Sequence, residues 1–218
     1  MKIKPIAAAA LIFALSTISY AAGPGFYFGL GVGPTSVQAP SHTFTTPVAP
    51  GYLKVNPSTS GIGERLFMGY DINSYAAFEG GFVHYGTATY KLPNGSQISC
   101  SDPSIRQNGF DFEGKAKAPF FTSGFNVFAK AGMAIMYAGS SGTLEPDRTS
   151  NPCGGATESK AAVRPLYGVG ASVDLSPSWV LDFSYSHING GGNIQSADFE
   201  AVSISYHWVD TYCGQFLC

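Results

Sequence analysis

Charged residues are scarce in this sequence, since Asp, Glu, Lys and Arg together make up 12% of its 218 residues. An intrinsically disordered chain would carry many more charges. The mean hydropathy of +0.08 is too low for a bundle of membrane helices. Basic residues are not in excess either, because the formal net charge is -2. Nucleic acid is therefore not expected as a partner, and the length suits a single domain.

The apolar run from Ile6 to Ile18 is too short to span a bilayer. Lys2 and Lys4 precede it, and Ser19 and Ala21 supply small residues at the two positions that a signal peptidase reads. We therefore predict that residues 1–21 are a signal peptide cleaved after Ala21. Losing two lysines and no acid would bring the formal charge of the exported chain to about -4.

Cysteine is also rare, and none of the four cysteines forms a CxxC pair or has histidines at metal-ligand spacing. We expect no metal and no cofactor. An exported chain enters an oxidising compartment, so structural disulfides are predicted, with free thiols as the alternative. The sequence leaves the pairing open among Cys100, Cys153, Cys213 and Cys218.

Glycine and aromatic residues are abundant, and they alternate along the chain in a way that is inverted for a soluble sheet. In the stretch from Gly61 to Tyr90, large apolar side chains such as Leu66 and Phe78 occupy one face. The charges of Arg65 and Glu79 share the opposite face with glycines and alanines. Charges in a narrow interior and apolar side chains outside indicate strands surrounded by lipid.

The same alternation predicts eight strands with short and long connections in turn, which is typical of an eight-stranded antiparallel transmembrane β-barrel with short periplasmic turns and long extracellular loops. We assign residues 22–208 to the barrel and 209–218 to a C-terminal tail. The proline-rich segment from about Pro34 to Ser60 is predicted as a long loop. The strands are Gly25–Val37, the two arms of Gly61–Tyr90 joined near Asp71–Ser74, Phe110–Ala118, Phe125–Ala138, Val163–Asp174, a strand beginning at Trp179, and about Phe199–Trp208.

Aromatic residues fall at the two ends of these strands, as the girdles of a membrane barrel require. The periplasmic girdle is predicted to contain Phe26, Tyr70, Phe78, Trp179 and Trp208. The outer girdle is predicted to contain Tyr90, Phe110, Tyr137 and Tyr185.

Several segments resemble the OmpA-type and opacity-type family of eight-stranded outer-membrane barrels. They are GFYFGLGVG, AFEGGFVHYG, VFAKAGMAIMYA, RPLYGVGASVDLSPSWVLDFSYSHI and SISYHW. The resemblance implies a location in the outer membrane of a Gram-negative bacterium. It also implies insertion by the outer-membrane assembly machinery, which reads a final aromatic residue, here Trp208, although VDTYCGQFLC follows it. We expect no peptidoglycan-binding domain of the kind that larger relatives carry.

The inward-facing charges are balanced, which favours a closed interior because a barrel of eight strands is just wide enough for side chains to fill. The positive residues are Arg65, Lys115, Lys117, Lys130 and Arg164, and the negative ones are Glu79, Asp111, Glu113, Asp174 and Asp182. We predict a plug of salt bridges centred on Glu79, Lys130 and Arg164. A proton path, an ion path or a small pore is the alternative.

One segment invites an enzymatic interpretation. HINGGGN, with His187 and Asn189, is loosely similar to the His-x-Ser-Asn motif of lipid A deacylases, and Glu200 lies near it. The serine position holds Asn189, and Ser186 should face away from His187 on a strand. We therefore predict no catalytic residues and no enzymatic activity, with a lipid A-modifying enzyme as the alternative.

The function is then expected to be envelope integrity, with adhesion through the long loops as a further role. The expected partners are outer-membrane lipids and lipopolysaccharide, the assembly machinery, and a host or cell-surface receptor that the sequence does not identify. A soluble lipocalin-like barrel would need apolar residues inside and charges outside, which is the reverse of the observed pattern.

Overall fold

The computed structural model describes residues 24–39, 41–46, 51–91, 104–120, 124–141, 158–192 and 194–208. Eight of its strands close into an antiparallel barrel in the order β1-β10-β9-β8-β7-β6-β5-β4, and β2 pairs with β3 in a separate hairpin. The eight-stranded barrel is confirmed. The strands are β1 Gly25–Val37, β2 His42–Thr46, β3 Gly51–Val55, β4 Ser60–Asn73, β5 Ala76–Thr89, β6 Ser104–Phe120, β7 Phe125–Ser141, β8 Glu158–Asp174, β9 Trp179–Ile188 and β10 Ala197–His207.

The pairing register tilts the strands strongly against the barrel axis. The path starts at Phe26 and passes from each residue to its paired residue on the next strand around the barrel. It returns to β1 at Ser36, ten residues further along the strand than Phe26. A stagger of this size in eight strands corresponds to a tilt of roughly 35–45°. Two inward-facing residues on different strands can therefore lie at quite different heights inside the barrel.

Side chains alternate between a buried interior and an exposed apolar outer surface, as predicted. On β6, Phe110 and Phe112 are 48% and 63% exposed, whereas Asp111 and Glu113 between and beside them are 2% and 3% exposed. This distribution is the reverse of that in a soluble barrel, because the solvent for the outer face is lipid. No helix among the described residues is long and apolar enough to cross a membrane.

Glycines on the inner face make room for aromatic rings on the neighbouring strand. Gly29 pairs with Phe67, and Gly69 pairs with Tyr27. A Cβ added at either glycine would collide with the ring of its partner. One glycine on β1 and one on β4 therefore allow two aromatic side chains to enter a narrow interior.

The structure corrects the prediction of one long loop between β1 and β4, because this segment contains the hairpin β2–β3. The strand segments are HTFTT and GYLKV, which are rich in β-branched and aromatic residues. Neither segment contains a proline, so no donor is missing from the ladder between them.

Three strands continue further on the long-loop side than predicted, since β6, β7 and β8 each have 17 residues. The prediction that Tyr90 belongs to the outer girdle is wrong, because this residue is fully buried. A register shift between Tyr85 and Ala88 inverts the alternation, so that the residues after the shift point inward with the opposite parity.

Several predictions concern residues outside the described part of the chain. These are the signal peptide at residues 1–21, the tail at residues 209–218, and all four cysteines, Cys100, Cys153, Cys213 and Cys218. The predicted cleavage and the predicted disulfides remain predictions.

Candidate functional site

The barrel interior is the most elaborate part of the molecule, and its centre is a network of buried ion pairs. We call this the charge network. It contains four cationic side chains and five carboxylates, namely Arg65, Lys115, Lys117, Lys130, Asp71, Glu79, Asp111, Glu113 and Asp182. Because adjacent strands supply these residues from the inner face, the charges meet near the barrel axis.

Arg65 is the hub of the charge network. Its Nε and Nη2 both donate to Asp111, at 3.0 and 2.6 Å, in a bidentate arrangement. Nη1 donates to Glu79 at 3.0 Å, and Nη2 also reaches Glu113 at 2.6 Å. The planar guanidinium, with its five donors, is the side chain best suited to hold three carboxylates at once.

Two of the three lysines in the network contact carboxylates that Arg65 also holds. Lys115 donates to Glu79 at 3.1 Å and lies 3.6 Å from Asp182, while Lys130 donates to Glu113 at 2.9 Å. The hydroxyl of Tyr27 also donates to Glu79, at 2.9 Å. Burying charges is expensive unless they are paired and hydrogen-bonded, and here each of these contacts reduces that cost.

The predicted centre of the plug needs correction at one position. Arg164 faces the interior as expected, but its guanidinium donates to the carbonyl of Gly191 in the β9–β10 connection. Arg164 on β8 pairs with Ala134 on β7, whereas Lys130 on β7 pairs with Gly168 on β8. Gly168 lies four residues closer to the periplasmic end of β8 than Arg164, so Arg164 and Lys130 lie at different heights in the barrel. Arg65 therefore occupies the central place that was predicted for Arg164.

The long-loop end of the interior is apolar, which was not predicted from the sequence. We call this the outer apolar cluster, and its largest members include Val83, Tyr85, Met136, Leu166, Ile188 and Phe199. All are at most 5% exposed. The same two-residue alternation that located the inner charges also runs through these residues, so the signal was present in the sequence.

The β9–β10 connection packs against this cluster through Ile194, which is 2% exposed. With its amide oriented to match, Gln107 pairs with the backbone N–H and carbonyl of Gln195 at 3.1 and 3.2 Å. Two layers of side chains thus fill the interior, an apolar layer at the long-loop end and ion pairs below it.

The opposite end of the interior holds a cavity of about 280 Å³, which we call the vestibule. Residues of the short turns line its mouth, including Tyr75 and Gly124. Its upper wall is formed by Tyr27, Lys115 and Asp182, which border or belong to the charge network. The vestibule opens at the short-turn end of the barrel.

At the outer rim, His187 lies on the lipid-facing side of β9. Its Nδ1 is 2.7 Å from a carboxylate oxygen of Asp198, and its Nε2 is 3.2 Å from the amide oxygen of Asn189. Tyr185 donates to the same carboxylate at 2.5 Å. Asp198, and not Glu200, is therefore the acidic neighbour of the histidine.

This arrangement orients an imidazole but places no serine hydroxyl beside it among the described residues. Ser186 is 8% exposed and faces the barrel interior, as the strand alternation requires. A histidine becomes a general base for covalent chemistry only with a nucleophile in hydrogen-bond reach. In the described part of the chain, the contacts of His187 are therefore those with Asp198 and Asn189 at the outer rim.

The five residues of the predicted periplasmic girdle all face outward, with exposed fractions of 39–67%. Phe26 and Tyr70 are in edge-to-face contact, with ring centroids 4.8 Å apart. Trp179 and Trp208 each contact the ring of Tyr206, at 5.1 and 5.6 Å. Phe78, with the other four, marks the level of the short-turn interface.

A closed antiparallel barrel with an apolar outer face, aromatic rims and charges inside defines a transmembrane β-barrel of the bacterial outer membrane. The model of the OmpA-like transmembrane domain family matches residues 22–211, so the chain belongs to this family. The outer membrane of a Gram-negative bacterium is therefore its location.

Comparisons with individual proteins agree with this assignment. An uncharacterized protein of Coxiella burnetii is 27% identical over 157 residues, which cover 64% of this chain and 62% of that protein. Neisserial surface protein A is 15% identical, with a TM-score of 0.52 and coverage of 84% and 97% of the two chains. OprG of Pseudomonas aeruginosa is 10% identical, with a TM-score of 0.54 and coverage of 88% and 99%. At these identities the two structures show the fold alone.

Proposed function

We propose that this outer-membrane barrel is a closed structural element of the cell envelope that conducts no solutes and performs no catalysis. The observation that carries this proposal is the two-layer interior. Solutes entering from outside meet the outer apolar cluster, where Met136 and Ile188 are fully buried, and then the charge network around Arg65. A small barrel filled in this way supports membrane anchoring more than transport.

Planar-bilayer recording with the purified full chain tests the closed interior. We expect no conductance steps from the wild type, and none from Arg65→Ala, because the apolar layer still seals the barrel. Adding Met136→Ala and Ile188→Ala to Arg65→Ala should produce leakage. Robust single-channel steps from the wild type, or swelling of its liposomes in small sugars, would overturn the proposal and support a pore.

We further propose that the long-loop end makes contacts at the cell surface. A strand crosses the membrane with about 9–11 residues, whereas β6, β7 and β8 have 17 each. The barrel wall therefore extends beyond the membrane on this side, and the connections at residues 92–103 and 142–157 join strands whose ends lie above the lipid. A rigid scaffold of this kind suits binding of a host or cell-surface receptor and of lipopolysaccharide.

Cell binding tests this second role. Bacteria expressing the wild type should adhere to host cells more than bacteria in which residues 92–103 and 142–157 are replaced by Gly/Ser segments of equal length. A replacement of residues 175–178 at the opposite end is the matched control. Unchanged adhesion of the loop variant, at equal surface expression, would contradict the proposal.

A further inference from the structure

The vestibule contains buried polar atoms that the described part of the protein does not satisfy. The Oδ1 atom of Asp182 has no hydrogen-bond partner among the described residues, whereas its Oδ2 atom lies 3.6 Å from the ammonium of Lys115. The Nδ1 atom of His207 makes no hydrogen bond within the described ranges either, although it lies 3.4 Å from a carboxylate oxygen of Asp71. Asp182 and His207 are 5% and 7% exposed, and both line the cavity. A buried acceptor left unpaired destabilises the protein, and more so when it is charged. The cavity thus contains an unpaired hydrogen-bond acceptor for a small molecule that carries a donor and enters from the periplasm.

The residues around the vestibule carry a net negative charge, which also favours binding of a cation. The charge network has one more carboxylate than it has cationic side chains. Among the residues that line the vestibule, three carboxylates, Asp71, Asp174 and Asp182, face two ammonium groups, Lys115 and Lys117, which again leaves an excess of one negative charge. Asp71 is held by Lys117 at 2.5 Å, and its other oxygen lies 3.4 Å from His207. A bound cation would neutralise the excess.

The walls of the vestibule indicate which kind of cation fits. Within the described ranges, no group of three or more His, Cys, Asp or Glu side chains is arranged to hold a metal ion. Aromatic rings line the cavity, including Tyr27, Tyr75 and Phe125. Tyr27 stacks on His207 with ring centroids 4.6 Å apart. Aromatic walls beside a carboxylate favour an alkylammonium group, through cation–π contacts and one charge-assisted hydrogen bond.

We infer that the vestibule is a periplasm-facing binding site for a small organic ammonium ion, with Asp182 as its anionic anchor. The ammonium donates to the unpaired Oδ1 of Asp182, and its alkyl part lies against the rings of the wall. At about 280 Å³ the cavity admits a small amine but not a large ligand. This site is independent of the closed-barrel proposal, because it opens toward the periplasm beneath the charge network.

Isothermal titration calorimetry of the full chain in lipid nanodiscs tests the site, with butylammonium chloride as the probe and uncharged butanol as its matched control. We expect saturable binding of butylammonium and none of butanol. Asp182→Asn should weaken binding at least tenfold, because Lys115 keeps Glu79 as a partner while the anchor charge is lost. Asp198→Asn, which removes an acid at the opposite rim, should leave the affinity unchanged.

A second variant keeps the test decisive if Asp182→Asn does not fold, as judged from gel mobility before and after heating. Asn126 lines the vestibule and is half-buried. Asn126→Asp adds a negative charge there and should tighten binding by up to about tenfold at low salt. Absence of saturable binding to the wild type, equal binding of butanol, tighter binding of Mg²⁺, or no response to Asn126→Asp would each overturn the inference.

Discussion

Replacing Arg65 with methionine is the most informative change to the barrel interior. Methionine removes the charge and all four donated contacts while keeping much of the side-chain volume. Glu79 then keeps Lys115 at 3.1 Å, and Glu113 keeps Lys130 at 2.9 Å. Asp111 loses both of its contacts with Arg65 and is only 2% exposed. Leaving one carboxylate buried and uncompensated should cost about 3–5 kcal/mol.

The comparison with Lys130→Met separates loss of the hub from loss of an ordinary partner. Glu113 would still be held by Arg65 at 2.6 Å, so we expect a smaller cost of about 1.5–3 kcal/mol. The double variant Arg65→Met with Asp111→Asn should recover more than half of the loss caused by Arg65→Met, because the orphaned charge is gone.

Reversible unfolding in urea, in the presence of lipid vesicles, provides the assay. The folded fraction can be followed by the mobility of unheated samples on gels and by the fluorescence of Trp179 and Trp208, which both face the lipid. The reasoning is refuted if Arg65→Met loses less than about 1 kcal/mol. It is equally refuted if Asp111→Asn deepens the loss.

Three further predictions concern the other layers of the barrel. Met136→Ala should destabilise the fold by about 2–5 kcal/mol, whereas Met133→Ala, at a lipid-facing position that is 62% exposed, should cost much less; equal losses in urea titrations would contradict the apolar seal. Tyr27→Phe should cost about 1.5–3 kcal/mol in the same titration, because it removes one hydrogen bond to the charged Glu79; an unchanged midpoint would argue against that bond. Leu30→Arg, on the lipid face midway along β1, should lower the free energy of unfolding by about 2–4 kcal/mol. Ile62→Arg, near the outer end of β4, should lower it by only about 0–1 kcal/mol. The reverse order would contradict the assigned membrane level.

The outer and inner faces of the strands could be predicted from sequence because lipid on one side imposes a strict two-residue alternation. The bounds of β1 agree with the prediction at both ends. The outer extensions of β6 and β8 could not be predicted in the same way. These extensions lie above the membrane, where the outer face meets water in place of lipid, so the alternation loses its apolar half.

Height inside the barrel was the main quantity that could not be predicted from the sequence. Arg164 has the predicted face but the wrong level, because level depends on the pairing register and on the ten-residue stagger around the barrel. The inversion at Tyr90 has a similar origin in a register shift after Tyr85. The local sequence pattern determines neither the height of Arg164 nor the inward orientation of Tyr90, since contacts with neighbouring strands set both.

Side-specific cysteine labelling tests the central claim, a barrel sealed toward the outside and open toward the periplasm. Two single cysteines, Asn126→Cys in the vestibule and Ala134→Cys in the outer apolar cluster, are compared in a background in which the four native cysteines are replaced by serine. A membrane-impermeant maleimide is applied to intact and to permeabilised cells. We expect labelling of Asn126→Cys only after permeabilisation and of Ala134→Cys under neither condition. Labelling of either position in intact cells would contradict the sealed interior.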